Sequence, residues 1–411
     1  MNDFAKKEDA LRRKSLIANA EAGTRPRNSR INRRAFLTGI GLGGAALILS
    51  PLHLPAAFSK DTEDFLFCIG SFGGGDDGTL HTLRIHGGKP SLLHSVHSTR
   101  PSAIARHPYR SVLYVANDVS RYQYQPRGSV ETFAVDPGTG KLELLGRQPL
   151  SLSATRPRSL ALSPDGGSFL VAAFGGGAYN VLPIDKSGLP GGLSCILKQI
   201  GYGQHRIEQA SAHPSHVLFH PEIGVAVATD YGADRLDIIT PDDDGSGNRR
   251  VKIAGRVPCP AGSGPREIAL HRGGKLFAVR YTLRPALAVF RLGSDNKLTT
   301  TAQIPLHYSP TAICFHPEHN VLYAAENRGR NNALLTAWRV APQTGSLLPI
   351  GEIALPAGEI RAMHAKVSIL WLASDRGLIA GDLVLHTGEP REARNVTPIP
   401  GIRTLAVISQ I

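Results

Sequence analysis

The segment PSAIARHPYRSVLYVAND, residues 101–118, decides the fold because the chain repeats its pattern. Each copy has a short apolar run, a turn with residues such as His-Pro or Gly-Gly, and a second apolar run, which is typical of a β-hairpin. Further copies occupy residues 157–174, 214–231, 265–282, 310–327 and, less clearly, 360–375. The copies recur every 45–57 residues, so they predict a ring or array of β-structured units.

Two more strands are predicted after each hairpin. Residues 128–136, GSVETFAVD, alternate as a strand does, and residues 139–145 supply a Gly-containing turn and the start of a fourth strand. Four strands in about 50 residues are typical of a β-propeller blade. Residues 402–409 form an inner strand with no partner behind it, whereas residues 64–72 and 78–85 lack an inner strand before them. Joined, these ends complete an all-β, seven-bladed propeller with four-stranded blades and a closed ring.

The start of the chain has a different character. Residues 32–50, NRRAFLTGIGLGGAALILS, place the pair Arg33 and Arg34 before an uncharged run, and Ala57 to Ser59 supply small residues at a cleavage spacing. These features predict a twin-arginine signal peptide over residues 1–59, a propeller over residues 60–411, and a periplasmic or secreted protein. The alternatives are a disordered basic tail and an uncleaved anchor, although the run is shorter than the ~20 residues that span a bilayer.

Composition limits the partners and cofactors. The formal net charge is +13, and residues 60–411 keep only +7 of it, without a lysine-rich stripe that interleaves aromatic residues. Nucleic acid is therefore not an expected partner. The spacing of the four cysteines matches no zinc motif and specifies no disulfide pairing. We expect a monomer that binds no metal and no cofactor. We also expect the Tat machinery to export it, with no stable membrane insertion after cleavage of the signal peptide.

The residues just before the inner strands form the most informative pattern. If each hairpin is superposed on the others, these positions surround the mouth of the central channel. They are Ser102, Arg158, Ser215, Arg266, Thr311, Arg361 and Arg403. Arginine presents a planar fork of donors that suits carboxylate or phosphate, so the ring predicts a site for an anionic ligand. Alternatively, each guanidinium hydrogen-bonds the backbone of the neighbouring blade.

Polar residues also mark the ends of the second strands, on the same face. Asp118 and Thr282 stand sixteen positions after their ring residues, and His213 and His216 flank a third ring residue. A histidine on this face could act as a general base near neutral pH. The alternative is that these histidines stabilise the strand starts.

Four segments carry a resemblance to a known family. They are RPRSLALSPDG (156–166), DYGADRL (230–236), GSGPREIALH (262–271) and NRG (327–329). With the repeats, they resemble the seven-bladed propeller lactonase family, which contains the propeller-type 6-phosphogluconolactonase and the fungal carboxy-muconate lactonizing enzyme. The resemblance implies that His213 is a general base and that Arg266 and Arg328 bind the carbonyl oxygen or an anionic group. This chain has Thr282 where the family has a glutamate and Glu267 where it has a histidine.

The expected activity is hydrolysis of a small lactone without a metal. Asp118, Asp230 or Glu267 could replace the family's glutamate. We expect Arg158, Arg361, Arg403, Asp118, Thr282 and His216 to contribute to substrate binding. An exported protein rarely meets sugar phosphates, so we expect a non-phosphorylated sugar-type or carboxylated lactone. The alternative is a non-catalytic periplasmic propeller that binds an anionic ligand or a protein partner.

Overall fold

The computed structural model describes residues 64–243, 245, 248–329 and 332–410. Over these ranges the chain forms 28 strands and no helix, so no described helix could cross a membrane. The predicted signal peptide, residues 1–59, lies outside the described residues and stays a prediction. Cys68, Cys195, Cys259 and Cys314 are free thiols, and the first three are buried.

The strands fall into seven antiparallel sheets of four, which we call blades 1 to 7. Blade 1 consists of β1 (Phe65–Phe72), β2 (Gly78–His86), β3 (Lys89–His97) and the last strand of the chain, β28 (Ile402–Gln410). Blade 2 consists of β4 (Pro101–Arg106), β5 (Val112–Asn117), β6 (Ser129–Val135) and β7 (Leu142–Pro149). Blade 3 consists of β8 (Pro157–Leu162), β9 (Ser168–Ala173), β10 (Ala178–Pro183) and β11 (Cys195–Lys198).

The remaining blades repeat this order. Blade 4 consists of β12 (Pro214–Phe219), β13 (Ala226–Asp230), β14 (Arg235–Pro241) and β15 (Val251–Pro258). Blade 5 consists of β16 (Pro265–Leu270), β17 (Leu276–Tyr281), β18 (Ala286–Leu292) and β19 (Leu298–Pro305). Blade 6 consists of β20 (Ser309–Phe315), β21 (Val321–Asn327), β22 (Ala333–Val340) and β23 (Leu347–Leu355). Blade 7 consists of β24 (Ile360–Ala365), β25 (Ile369–Ser374), β26 (Leu378–Leu383) and β27 (Pro390–Thr397).

The inner strands close a ring. Each first strand contacts the first strand of the next blade, from β4 through β24, and β28 contacts both β24 and β4. In blade 1, β28 pairs antiparallel with β1, which joins the two ends of the propeller in one sheet. The predicted seven-bladed, end-closed architecture is therefore confirmed, including the starts of its inner strands.

Apolar side chains fill the spaces between blades. In blade 7, Trp371 is fully buried and packs edge-on against Phe65 and Phe67 of blade 1. Tyr114 of blade 2 packs in a tilted arrangement against Phe169 of blade 3, with 5.1 Å between the ring centroids. Neighbouring blades cover both faces of most inner and middle strands. The sequences of these strands are therefore nearly continuous apolar runs rather than alternating apolar and polar residues.

Histidines join the turns of neighbouring blades at the end of the channel opposite the ring residues. In His220 and His316, Nδ1 accepts a backbone N–H from its own turn, and Nε2–H donates to a carbonyl of the next blade, Gly274 or Val367, at 3.0 Å. His271 uses the same pattern toward Asn320 Oδ1. These contacts use both ring nitrogens of a neutral imidazole, so protonation of Nδ1 must break a hydrogen bond.

Acid should therefore weaken the ring before ordinary carboxylates titrate. Burial lowers the pKa of His271 and His316, so unfolding takes up protons below about pH 6.5 and stability falls as the pH falls there. We expect Tm to fall between pH 7 and pH 5, by an amount equivalent to on the order of 1 kcal/mol per histidine. Calorimetry of the protein and of His316→Gln tests this. An identical pH slope in the variant would contradict it.

Candidate functional site

The seven predicted ring residues meet at one end of the channel. They line a cavity of about 920 Å³, which we call the arginine cavity. Each is the extra residue of a β-bulge at the start of its inner strand, as Arg266 is between the pairs of Pro265 and Glu267. The same bulge occurs at Ser102, Arg158, Ser215, Thr311, Arg361 and Arg403. A bulge locally re-aims side chains, so both Arg266 and Glu267 line the cavity.

Positive charge exceeds negative charge in this cavity. Its described lining residues include seven arginines, against four carboxylates, Asp118, Glu208, Glu267 and Glu359. Burial lowers the pKa of Arg158 and Arg361, whose guanidinium groups also repel one another. A concave surface of one sign concentrates its field and raises the local concentration of ions of opposite sign. The arrangement therefore favours an anionic ligand.

On one side of the cavity, Asp118 lies close to three arginines. It follows β5, is almost fully buried, and its carboxylate lies 3.5–3.8 Å from the guanidinium groups of Arg100, Arg156 and Arg158. Arg100 and Arg156 have the left-handed φ values of 42° and 52°, which non-glycine residues rarely adopt. On another side, Arg361 pairs with Glu359 at 2.5 Å. These arginines are positioned by carboxylates of the protein itself.

Arg266 is different because no described carboxylate forms an ion pair with it. Its guanidinium lies over the rings of Phe174 and Tyr231, with 5.6 Å and 5.3 Å to the ring centroids. Burial, reinforced by Arg280 and Arg158, lowers its pKa to about 10. The group still carries its charge at neutral pH, and an anionic oxygen in the cavity would stabilise it.

Glu267 follows Arg266 on β16, and one of its two carboxylate oxygens accepts hydrogen bonds from the protein. Its Oε2 accepts Arg280 Nε at 2.6 Å and the Ile313 N–H at 3.3 Å. Arg280 also donates to the Pro310 carbonyl of the next blade, at 2.7 Å. No described residue hydrogen-bonds to Oε1, so this oxygen is available to a water or a ligand in the cavity.

His216 and Thr282 also line the arginine cavity. The Ile268 N–H points at His216 Nδ1 at 3.4 Å, which places the proton of the neutral ring on Nε2, and burial lowers its pKa. His216 therefore enters the site as a neutral donor at pH 7. The hydroxyl of Thr282 donates to the Gly264 carbonyl at 3.2 Å, so it cannot perform the acid–base chemistry of a carboxylate.

His213 and Arg328 are absent from the described residues that line the cavity. His213 stacks on Phe174 with 4.6 Å between ring centroids, and its Nδ1–H donates to the Phe174 carbonyl at 2.8 Å. Its backbone N–H binds buried Asp230. Arg328 is exposed in the turn after β21, where its guanidinium lies over Tyr308. The structure thus places Arg266 in the arginine cavity with Asp118 and other arginines. His213 and Arg266 both contact the ring of Phe174, and the roles of His213 and Arg328 stay predictions.

Several cavity residues were not predicted from the sequence, chiefly Arg100, Arg156, Arg280 and Glu359. One signal was available, because Thr-Arg-Pro occurs twice, at residues 99–101 and 155–157, immediately before an inner strand. Arg280 gives no such signal. It lies within an apolar second strand, and its role depends on which residue it faces across the sheet.

Comparison with known proteins identifies the family. A profile described as "Lactonase, 7-bladed beta-propeller" matches residues 66–358, more than half of the chain. The chain belongs to this lactonase family. No curated protein matches it at a significant level.

Solved structures similar to this lactonase-family propeller share its fold. The proposed 6-phosphogluconolactonase of Bacteroides fragilis has 19% identity and a TM-score of 0.77, with 85% of this chain and 99% of that one covered. The periplasmic gluconolactonase of Pseudomonas aeruginosa has 20% identity and a TM-score of 0.75, with 85% and 100% covered. At such identity, the comparison shows the architecture alone.

Proposed function

We propose that this lactonase-family propeller hydrolyses a sugar-type or carboxylated lactone in the arginine cavity. The observation that carries the proposal is Arg266, a partly buried guanidinium for which no described carboxylate is an ion-pair partner, next to a carboxylate on Glu267 with a free oxygen. Lactone hydrolysis requires activation of water and stabilisation of the negative charge that develops on the carbonyl oxygen. These two neighbouring side chains supply a base and a cation for those tasks.

In the proposed reaction, Glu267 Oε1 removes a proton from a water whose oxygen attacks the lactone carbonyl. Arg266 stabilises the resulting oxyanion. When the tetrahedral intermediate collapses, the ring C–O bond breaks and the leaving alkoxide takes the proton from protonated Glu267, while His216 Nε2–H can donate a hydrogen bond to the substrate. The product is a hydroxy acid, which releases one proton to solution near neutral pH. Arg158, Arg361 and Arg403 attract the carboxylate or hydroxyl groups of the substrate.

The proposed location is the periplasm or the cell exterior, after twin-arginine export. The support is the sequence of residues 1–59, together with the similar fold of a periplasmic gluconolactonase. A protein in that location meets free sugar acids and their lactones rather than intracellular sugar phosphates. A non-phosphorylated lactone is therefore the proposed natural substrate.

A second candidate is a propeller that binds an anion or a protein partner without turnover. Two observations favour it. Asp118 and Glu359 already pair with cavity arginines, and His213 does not line the cavity among the residues that the structure describes. Both candidates need Arg266 to bind the ligand, but only the first releases protons from a lactone.

Proton release by the purified protein against a panel of lactones, with spontaneous hydrolysis subtracted, tests the proposal. We expect Arg266→Ala to lower kcat/KM by about 10²–10³-fold, because the oxyanion loses its charged donor. Arg272→Ala is the matched control, since Arg272 is exposed at the opposite end of the same hairpin. If the folded protein turns over no lactone, the binding candidate replaces the enzyme.

A further inference from the structure

Three polar side chains form a hydrogen-bonded row across blade 1, outside the arginine cavity. His81 on β2 faces Ser95 directly on β3, and Ser71 lies one step along β1 on the same face of the sheet. Ser71 Oγ lies 3.0 Å from His81 Nε2, and Ser95 Oγ lies 2.9 Å from His81 Nδ1. A serine nucleophile is activated by this arrangement, in which its hydroxyl donates to an imidazole and the imidazole donates to an orienting acceptor.

Burial decides the direction of these hydrogen bonds. Ser71 is 7% exposed, and His81 is the only described acceptor for its hydroxyl proton. In the opposite direction, with Nε2–H donating to Ser71, that buried proton would have no described acceptor, which costs about 1–3 kcal/mol. Ser95 is exposed and can donate its own proton to water. The favoured chain therefore runs from Ser71 to His81 and from His81 to Ser95.

A cavity gives ligands access to this row. It has a volume of about 470 Å³ and is lined by Ser71, Ser95, Phe72, Val96 and Pro400, among others. The turn after β1 contributes Gly73, which also borders the arginine cavity, so the two cavities are neighbours with a shared wall. Among the described residues that line this cavity, only Asp77 carries a formal charge when histidine is neutral, which suits a small neutral ligand.

We propose that Ser71, His81 and Ser95 form a second catalytic site that cleaves small neutral acyl esters through an acyl-serine intermediate. Ser71 Oγ attacks the ester carbonyl and passes its proton to His81 Nε2, while His81 Nδ1–H stays bound to Ser95. The C–O bond of the ester breaks, and the leaving alcohol takes the proton from Nε2. A water then attacks the acyl-serine with His81 again as base, which releases the carboxylic acid and restores the serine.

The third member of the row sets the expected rate. Ser95 orients the ring but, unlike the carboxylate of a Ser-His-Asp triad, does not balance the charge of the imidazolium. The site should therefore act on esters with good leaving groups and turn over slowly. Because burial lowers the pKa of His81, the unprotonated base persists below the usual histidine range, so activity should decline only as the pH falls below about 6.5.

The test uses the purified protein with p-nitrophenyl acetate and with a fluorophosphonate probe, followed by peptide mass spectrometry. We expect a burst of p-nitrophenol and phosphonylation mapped to Ser71. Ser71→Ala should abolish labelling, and His81→Gln should slow it by about 10²–10⁴-fold because the base is lost. Ser95→Ala should slow it roughly tenfold, as loss of an orienting partner does.

Ser91→Ala is the matched control, because Ser91 is an exposed serine on the same strand as Ser95. It should label at the rate of the unmodified protein. Three outcomes would overturn the proposal: no labelling of the folded protein, labelling at another residue that persists in Ser71→Ala, or equal labelling rates in His81→Gln and the unmodified protein. Each of these outcomes can be measured without lactone turnover. Failure of the proposed esterase site is therefore distinguishable from failure of the proposed lactonase.

Discussion

Glu267→Gln should lower kcat for lactone hydrolysis by about 10²–10⁴-fold, the usual contribution of a positioned general base. Glutamine has nearly the shape of glutamate, and its carbonyl oxygen can still accept from Arg280, so the cavity should keep its form. It cannot remove a proton from water. KM should change little, because the substrate is held mainly by Arg266 and the other cavity arginines. Initial rates of proton release over a range of lactone concentrations separate the two constants.

Two companion variants make this result specific. Glu222→Gln changes an exposed glutamate in a turn at the far end of blade 4 and should leave kcat unaltered. His213→Ala tests the base that the family resemblance implies. If Glu267→Gln keeps full activity while His213→Ala loses it, water activation belongs to His213, and the stacked position of that ring on Phe174 must change when substrate binds.

Deletion from Ile402 onward should prevent the protein from reaching a stable folded state. β28 is the inner strand of blade 1, pairs with β1, and contacts both neighbouring inner strands. Its loss uncovers buried surface around Ile402 and Ile408, each worth about 1.5–3 kcal/mol, and leaves the ladder groups of β1 unpaired. Net stabilities are only about 5–15 kcal/mol, so we expect no cooperative transition in urea.

Adding the missing strand back as a peptide tests whether the deletion acts through the loss of β28 itself. A synthetic peptide of residues 402–411 added in excess should restore part of the transition, because it can pair with β1. The same peptide with Ala406→Pro should fail, since Ala406 is paired with Cys68 in the middle of the ladder and proline cannot donate there. A truncated protein with the unfolding midpoint of the full chain would contradict the expected role of β28.

The fold could be predicted from sequence because its information is local and repeated. Each ring position follows a proline or an isoleucine, the turn uses ordinary hairpin residues, and the apolar runs mark both strands of the pair. The predicted strands in residues 64–85 and 402–409 had no partners within their own repeats. Pairing them with one another closes the ring and removes the exposed strand edges. The structure has these strands where the repeats place them.

The candidate site could be predicted only in part. Arg158, Arg266, Arg361 and Arg403 follow from their place in the repeat. The pairing of Arg280 with Glu267 depends on strand register, and the convergence of Arg100, Arg156 and Arg158 on Asp118 joins residues of two blades. His213 lies two residues before its ring position, Ser215, and its ring stacks on Phe174 of the preceding blade. The repeated Thr-Arg-Pro marks Arg100 and Arg156 in the sequence, but which residue each side chain contacts in the neighbouring blade does not follow from the repeat.

The seven bulges have a consequence for how this family can change over time. A bulged residue such as Arg266 is skipped in the pairing of its strand, so replacing its side chain leaves the ladder hydrogen bonds and the apolar interfaces between blades in place. Most random substitutions in a protein cost stability, and that cost restricts which new activities can be reached. Here a bulged residue without a described carboxylate partner, such as Arg266, can be exchanged without disturbing the strand ladder. Ligand preference can therefore diverge while the architecture persists; solved structures near 20% identity keep the same fold.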